Sequence, residues 1–395
     1  MTDLVRRVPG AAVWLVGLCL AALALAACGP DGDDPESGPP AEKPSPSATP
    51  ARHVVTPLEP LRAGERRLTL SMPAAYTPSA PNGVGTDDYR CFLLDPKLAK
   101  DVFLTGTSVQ PGNSDVVHHV ILFRVPPEQV AHAEQIDAQT PGQGWTCFGN
   151  SGLDSAGRLD DAPWLGAWAP GGHESVFAKG LGVPLAKGSR IVMQVHYNLL
   201  VADTPDVSAT QLRVAPGSAD LSAVETMLLP APVELPCRAG HRDAPLCDRA
   251  TALADVKQRF GPAGATADLL HFLCGPVKPG EVQTCERTIT RPTTVIGVAG
   301  HMHLLGRSIK IEVNPGTPAA RTLLRIPVWN FDDQGATPVK PVKLHMFDKV
   351  RVTCHHEQWL RDKLPAFDGQ PDRYVVWGEG STDEMCLGIL QVVRD

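Results

Sequence analysis

From Leu58 onward, short apolar runs alternate with clusters of turn residues, a rhythm that predicts many strands and few helices. Val116-Val117-His118-His119-Val120-Ile121-Leu122-Phe123 is one run, closed by Pro126-Pro127. Arg190 to Asn198 is another: Ile191, Met193, Val195 and Tyr197 fall on one face, Gln194 and His196 on the other. Thr293 to Ala299 is β-branched and small, as a buried strand should be. Later runs cover 308–313, 322–330, 349–354 and 384–393, and turns such as Pro111-Gly112-Asn113 and Pro170-Gly171-Gly172 punctuate the first half. The predicted fold class is all-β: two tandem antiparallel β-sandwiches, jelly-roll-like, over 58–218 and 219–395. An insertion at 233–291 interrupts the second, with helices expected over 248–260 and 265–272 and four cysteines around them.

The front of the chain has a different pattern. Arg6 and Arg7 precede an apolar run from Ala11 to Leu25, which ends in Leu25-Ala26-Ala27-Cys28. Residues 1–27 read as an export signal, too short in its apolar part for a bilayer span. The Leu-Ala-Ala-Cys ending resembles a bacterial lipobox, which would make Cys28 a lipidated first residue. Residues 28–57 are rich in Pro, Ser, Gly, Asp and Glu and read as a tether. Gly29 is not the aspartate associated with inner-membrane retention, so the expected location is extracytoplasmic, lipid-anchored at the outer membrane or cell surface of a bacterium. No second long apolar run follows; contact with the membrane is expected only through the lipid.

Composition narrows the partners. The formal net charge is −7, with both signs scattered, which argues against nucleic acid. Removing Cys19 with the signal and assigning Cys28 to lipid leaves Cys91, Cys147, Cys237, Cys247, Cys274, Cys285, Cys354 and Cys386. An even number outside the cytoplasm predicts four disulfides, two of them within the insertion. No Cys-x-x-Cys pair occurs, which weakens zinc-ribbon and thioredoxin readings.

The candidate chemistry lies in histidines. His301 and His303 flank one residue at the end of a strand, where alternation puts both on one face, close enough to share an ion. His118 and His119 are adjacent, so a regular strand would point them apart. Both reach one metal if the strand is distorted or if the rings use different nitrogens; otherwise one is buried and the other solvated. His355-His356, a second adjacent pair, reads as a surface or satisfied pair, and His173 and His345 have no assigned role.

Taken in order, His118-His119, Gln194-Val195-His196-Tyr197, His301-Met302-His303 and Asp383-Glu384-Met385-Cys386 resemble the copper type II, ascorbate-dependent monooxygenases, the family of peptidylglycine α-hydroxylating and dopamine β-monooxygenases. The resemblance runs from about Asp88 to the C-terminus, omitting the insertion. It implies two mononuclear copper sites, one per domain, across a solvent-filled cleft. His118, His119 and His196 would hold the electron-storing copper; His301, His303 and Met385 would hold the one that meets dioxygen and substrate. A thioether favours Cu(I) and imidazoles suit both oxidation states, which fits that division. The reaction implied is hydroxylation of an activated C–H bond of a small molecule, with O2 as oxidant and ascorbate or another one-electron donor as reductant. Gln194, on the face of His196, would help position the electron route. The resemblance also implies Cys91–Cys147 and Cys354–Cys386 disulfides.

The chain departs from the peptide-amidating members. Where these anchor a substrate carboxylate with arginine, two residues before His-x-His, it has Ala299; after Met-Cys it has Leu387, Gly388 and Ile389. A glycine-extended peptide is therefore not the expected substrate; a small, weakly polar molecule is. The rival function is a non-catalytic copper buffer or delivery lipoprotein. Its weakness is that the chain has seven methionines and no Met-rich tract.

Overall fold

The computed structural model describes residues 57–81, 86–153, 159–200 and 204–394. The signal run, Cys28 and the tether up to residue 56 lie outside the described residues. Among the described residues, no helix is long and apolar enough to cross a membrane.

The chain is all-β, and its organising element is one long sheet. In order, this sheet holds Arg66–Ser71, Ala209–Pro216, Val102–Gln110, Leu181–Leu185, Ser222–Pro230, Leu387–Arg394, Thr293–His301 and Thr337–Leu344. Its pairings are antiparallel except at the centre, where Ser222 and Ala223 pair in parallel with Leu181 and Gly182. That short parallel contact joins the two halves of the chain. A five-stranded sheet, in which Asp87–Leu94, Arg190–Asn198 and Val117–Val125 lie side by side, covers the first part of the long sheet. A four-stranded sheet built on Val282–Thr288, Lys349–His356, Gly306–Val313 and Arg321–Ile326 covers the second.

Each sandwich has its own apolar core. In the first, Leu104, Leu185, Leu212 and Val214 of the long sheet meet Phe92, Leu122, Met193 and Tyr197 of the five-stranded sheet. In the second, Leu229, Val295, Leu390 and Val392 meet Ile309, Ile311, Val350 and Val352. The boundary expected near 218/219 falls between the strands Ala209–Pro216 and Ser222–Pro230, yet Thr56–Asp395 forms one compact unit.

The strand Arg190–Asn198 is buried on both faces, and its alternation explains why. Ile191, Met193, Val195 and Tyr197 enter the sandwich core. On the other face, Val192 packs in a smaller cluster with Cys91, Phe123, Trp145 and Cys147. Gln194 and His196 follow it on that face, buried and polar. Buried polar side chains require partners, and those partners build the candidate site.

Four disulfides form: Cys91–Cys147, Cys237–Cys247, Cys274–Cys285 and Cys354–Cys386. Their sequence separations differ, 56 for the first against 10 and 11 for the two in the insertion. Loop-closure entropy then ranks the first higher, at about 4 kcal/mol against about 3 for each short loop. Replacing Cys91 and Cys147 by alanine should lower the denaturant midpoint more than the same change at Cys237 and Cys247; equal midpoints would contradict the ranking.

In the insertion, Asp248 caps the helix Arg249–Phe260 by accepting from the Thr251 N–H at 2.9 Å. Arg249 and His271 both pair with the fully buried Glu234, at 2.6 and 2.8 Å. A helix over Pro127–Asp137 is not foreseen by the strand rhythm. Ala133 is its one buried residue, with Val130 and Ile136 packed part-buried beside it, so its apolar stripe is narrow; Pro127 at its start sets the first turn. The run expected over 322–330 ends early, as Arg321–Ile326, and leaves 327–336 as a loop.

Candidate metal centre

His118 and His119 lie on Val117–Val125, beside His196 on Arg190–Asn198. The ladder shifts register between Val117 and His119, a bulge that turns both neighbouring imidazoles toward His196. Of the two routes open to adjacent histidines, strand distortion is the one observed, and both rings present the same nitrogen. His119 Nδ1 stands 3.1 Å from His118 Nδ1 and 3.1 Å from His196 Nδ1. Ligand atoms of the three all lie within 4.8 Å of one another.

Hydrogen bonding alone does not satisfy this arrangement. His119 Nδ1 carries at most one proton, so it serves at most one of two contacts as donor. A cation shared by three Nδ1 lone pairs satisfies all of them. The Nε2 side supports this: His196 Nε2 donates to Asp87 Oδ1 at 2.8 Å, and Ser381 Oγ donates to the same oxygen at 2.6 Å. Carboxylate behind imidazole is the arrangement that orients a ligand ring and raises its basicity. Burial opposes ionisation of Asp87, but the hydrogen bonds it accepts from His196, Ser381 and Thr86 hold its carboxyl below the ordinary carboxylate value. Tyr89, the cross-strand partner of His196, stacks on it with centroids 4.1 Å apart and planes 5° apart.

The second cluster sits at the end of Thr293–His301. The His301 and His303 rings are 5.1 Å apart and nearly perpendicular, while Met302 between them is fully buried in the core. Gln334 Oε1 accepts from His301 Nδ1 at 2.6 Å, which leaves Nε2 of that ring for another partner. His303 Nδ1 is buried without a hydrogen-bond partner. Met385 is buried, and its neighbour Glu384 is bonded to the backbone of the turn that carries His303. Glu384, fully buried, accepts from the backbone N–H of His303 at 3.0 Å and of Leu305 at 2.5 Å. In the ladder His301 pairs with Leu387, so the chain running back to Met385 follows the turn out to His303 in the antiparallel sense.

His355 and His356 divide. His355 is part-exposed between Glu281 and Glu357. His356 is fully buried, with Nε2 3.2 Å from both the Met385 carbonyl and the Glu384 carboxylate, so it braces the Met385 segment rather than facing solvent.

The two clusters touch, which corrects the expected solvent-filled cleft. The His119 and His301 rings are 6.2 Å apart, edge to face. The loop after Arg321–Ile326 joins them further. Phe331 stacks on His118 at 4.4 Å and meets His303 edge-on at 6.1 Å; Asp332 lies 3.6 Å from His118 Nε2. One loop of the second sandwich therefore contacts a histidine of each cluster, and the shared sheet holds the halves at that spacing. Gln194 is bonded away from the imidazoles. Its amide donates to the Asn150 carbonyl at 2.9 Å and lies 3.5 Å from Cys147 Sγ, tying down the loop after the Cys91–Cys147 disulfide.

Asp87, Gln334 and Phe331 are site residues that motif reading passes over, while Glu384 and His356 stand in segments it singles out without giving either a part in the site. The only local signal is for Glu384, an acid beside Met385 in the otherwise apolar run Met385-Cys386-Leu387.

The electrostatics follow from crowding. Burial first, then repulsion among the rings, drives His119 and His303 well below the ordinary histidine value. Burial lowers His301 to about 4 against the opposing hydrogen bond from Gln334, and lowers His196 despite Asp87. Neutral imidazole is the form that binds metal. Depressed histidines also make the metal-free fold acid-sensitive. Below about pH 6.5 the unfolded chain takes up protons that the folded chain refuses, so stability is full above that pH and falls as pH drops toward 4. Each such histidine contributes about 1.4 kcal/mol per pH unit in that window. Urea midpoints of the metal-free protein should fall between pH 7 and pH 5; a flat profile would contradict these depressed values.

No protein-family model matches the chain, and no curated protein does. Among solved structures, it is similar to a Paenibacillus xanthan lyase, at 10% identity over 82% of this chain and 25% of that one, with a TM-score of 0.19. It is also similar to a fucolectin from striped bass serum, at 10% identity over 84% and 97% of the two chains and a TM-score of 0.17. A third likeness is the major capsid protein P2 of bacteriophage PM2, at 9% identity over 83% and 97%, with a TM-score of 0.26. The chain spans about a quarter of the length of the xanthan lyase. At these scores the likenesses carry no argument about this site.

Proposed function

We propose that the protein is an extracytoplasmic, lipid-anchored copper monooxygenase that hydroxylates an activated C–H bond of a small substrate. The observation that carries the reading is that His118, His119 and His196 each bring a ring nitrogen within 4.8 Å of the others, with His301 of a second imidazole pair 6.2 Å from His119 by ring centroids. The donor chemistry fits copper: imidazoles serve both oxidation states, and a thioether favours the reduced one. Copper held there would supply one-electron redox chemistry, and the overall reaction would take R–H, O2, two electrons from a reductant such as ascorbate and two protons to R–OH and water.

The chain's own residues bind and orient. Asp87 holds His196 and Gln334 holds His301, each through the nitrogen turned away from the site. Glu384 fixes the turn that carries His303, and His356 links that carboxylate to the Met385 carbonyl. Phe331 lies over His118 and beside His303, which keeps water from both rings. Leu387, paired with His301, is buried and apolar, and Ala299 offers no charge to an anionic substrate. A glycine-extended peptide should therefore show no turnover in a product assay that detects hydroxylation of a neutral small substrate. Comparable rates on both would contradict this.

One observation favours the rival reading of copper binding without turnover: His118, His196 and His303 are all buried, and the clusters are already in contact. Oxygen uptake by the copper-loaded protein separates the two. Uptake that requires both ascorbate and a C–H substrate, with hydroxylated product, supports the enzyme. Copper bound tightly with no substrate-dependent uptake across a broad screen supports the buffer.

A further inference from the structure

The insertion carries a surface that the copper chemistry does not use. On the helix Thr266–Cys274, Leu269, Phe272 and Leu273 fall at i, i+3 and i+4 and share one face. All three are exposed, Phe272 at 87% of its surface, and Val277 just beyond the helix is exposed as well. The opposite side, with Ala267 and Leu270, is buried in the core of the second sandwich. A helix that is apolar on both sides has an outer side suited to being covered. The face is held rigidly: Cys274 is bonded to Cys285, and His271 pairs with Glu234.

We propose that this face docks on the surface of the bilayer to which the chain is tethered. The length of the leader favours a membrane over a separate protein. From Cys28 to Pro57 is 29 residues, which reach roughly 100 Å at most even when fully extended. A lipid at Cys28 would keep the folded unit within that distance of the bilayer, so a weak apolar face meets it at high effective concentration. The exposure agrees, because Phe272 stands almost wholly free of the fold near the end of its helix, as an interfacial anchor does. The exposed Lys278 adds a cation next to Val277, where anionic headgroups would lie. The proposal rests on the extracytoplasmic, lipid-tethered reading for the choice of partner, but the test does not require natural lipidation.

In a chain produced from Cys28 onward without the signal run, and so not lipidated in the cell, Cys28 would be the one cysteine outside the four disulfides, available for coupling to a maleimide lipid in vesicles of phosphatidylethanolamine and phosphatidylglycerol. Amide hydrogen exchange over 266–277 should slow on these vesicles relative to the uncoupled protein. The double variant Phe272→Asp/Leu273→Asp should lose that slowing, and its uncoupled form should bind the same vesicles at least about tenfold more weakly than the uncoupled wild type. Its far-UV circular dichroism and denaturant midpoint should equal those of wild type, which shows the variant to be folded. Equal exchange on and off the vesicle would overturn the proposal. So would self-association in sedimentation that the double variant abolishes, because the occupant would then be a second copy of the chain. The mass of the natural mature protein reports lipidation at Cys28 separately.

Discussion

Replacing Met385 by isoleucine should reduce substrate hydroxylation to background while the three-histidine cluster still takes up copper. The exchange keeps the apolar volume in a buried position and removes the sulfur. Losing an outer-shell partner of a metal ligand costs about 10–100-fold in affinity or activity, and losing a ligand should exceed that. Cu(I) affinity should fall most, because the thioether is the soft donor of the set. Copper analysis should then show content reduced by half, with His118, His119 and His196 still occupied. Full retention of activity would remove Met385 from the site, and equal loss of metal at both clusters would argue against separable centres.

Glu384→Ala should be the most destabilising single change at the site. Glu384 is fully buried and accepts from His303 N–H and Leu305 N–H, with His356 3.2 Å from the same carboxylate. Truncation leaves two interior donors unpaired, each costing about 1–3 kcal/mol, and strips His356 of a partner. The expected loss is about 3–5 kcal/mol in denaturant unfolding of the metal-free protein. Because the turn carrying His303 would be released, the second cluster should also lose copper while the first keeps it. A loss under about 1 kcal/mol would mean that the carboxylate is not what holds the turn.

Much of the architecture was legible in residue patterns. Period-two alternation in Arg190–Asn198 foretold that Gln194 and His196 share a face, and they do. Cysteine number and placement foretold four disulfides with two inside the insertion. The adjacent pair His118-His119 marked a choice between a bulge and a split of nitrogens, but a bulge is decided by pairing with the neighbouring strand and has no local signature. The outer partners were illegible for the same reason. Asp87 meets His196, and Gln334 meets His301, only because distant segments are packed together. Contact between the clusters depends on how two sandwiches share one sheet, through the two-residue parallel pairing at Ser222 and Ala223, and no motif encodes that. The helix Pro127–Asp137 was hidden because its apolar stripe is only Val130, Ala133 and Ile136, one of them fully buried.

The most direct measurement is X-ray absorption at the copper edge on the reduced, copper-loaded protein, with metal content determined on the same sample. The account predicts two coppers per chain in a mixed imidazole and sulfur environment, with the sulfur contribution absent in Met385→Ile. A chain that binds no copper, or binds it with no sulfur neighbour in the wild type, would contradict it.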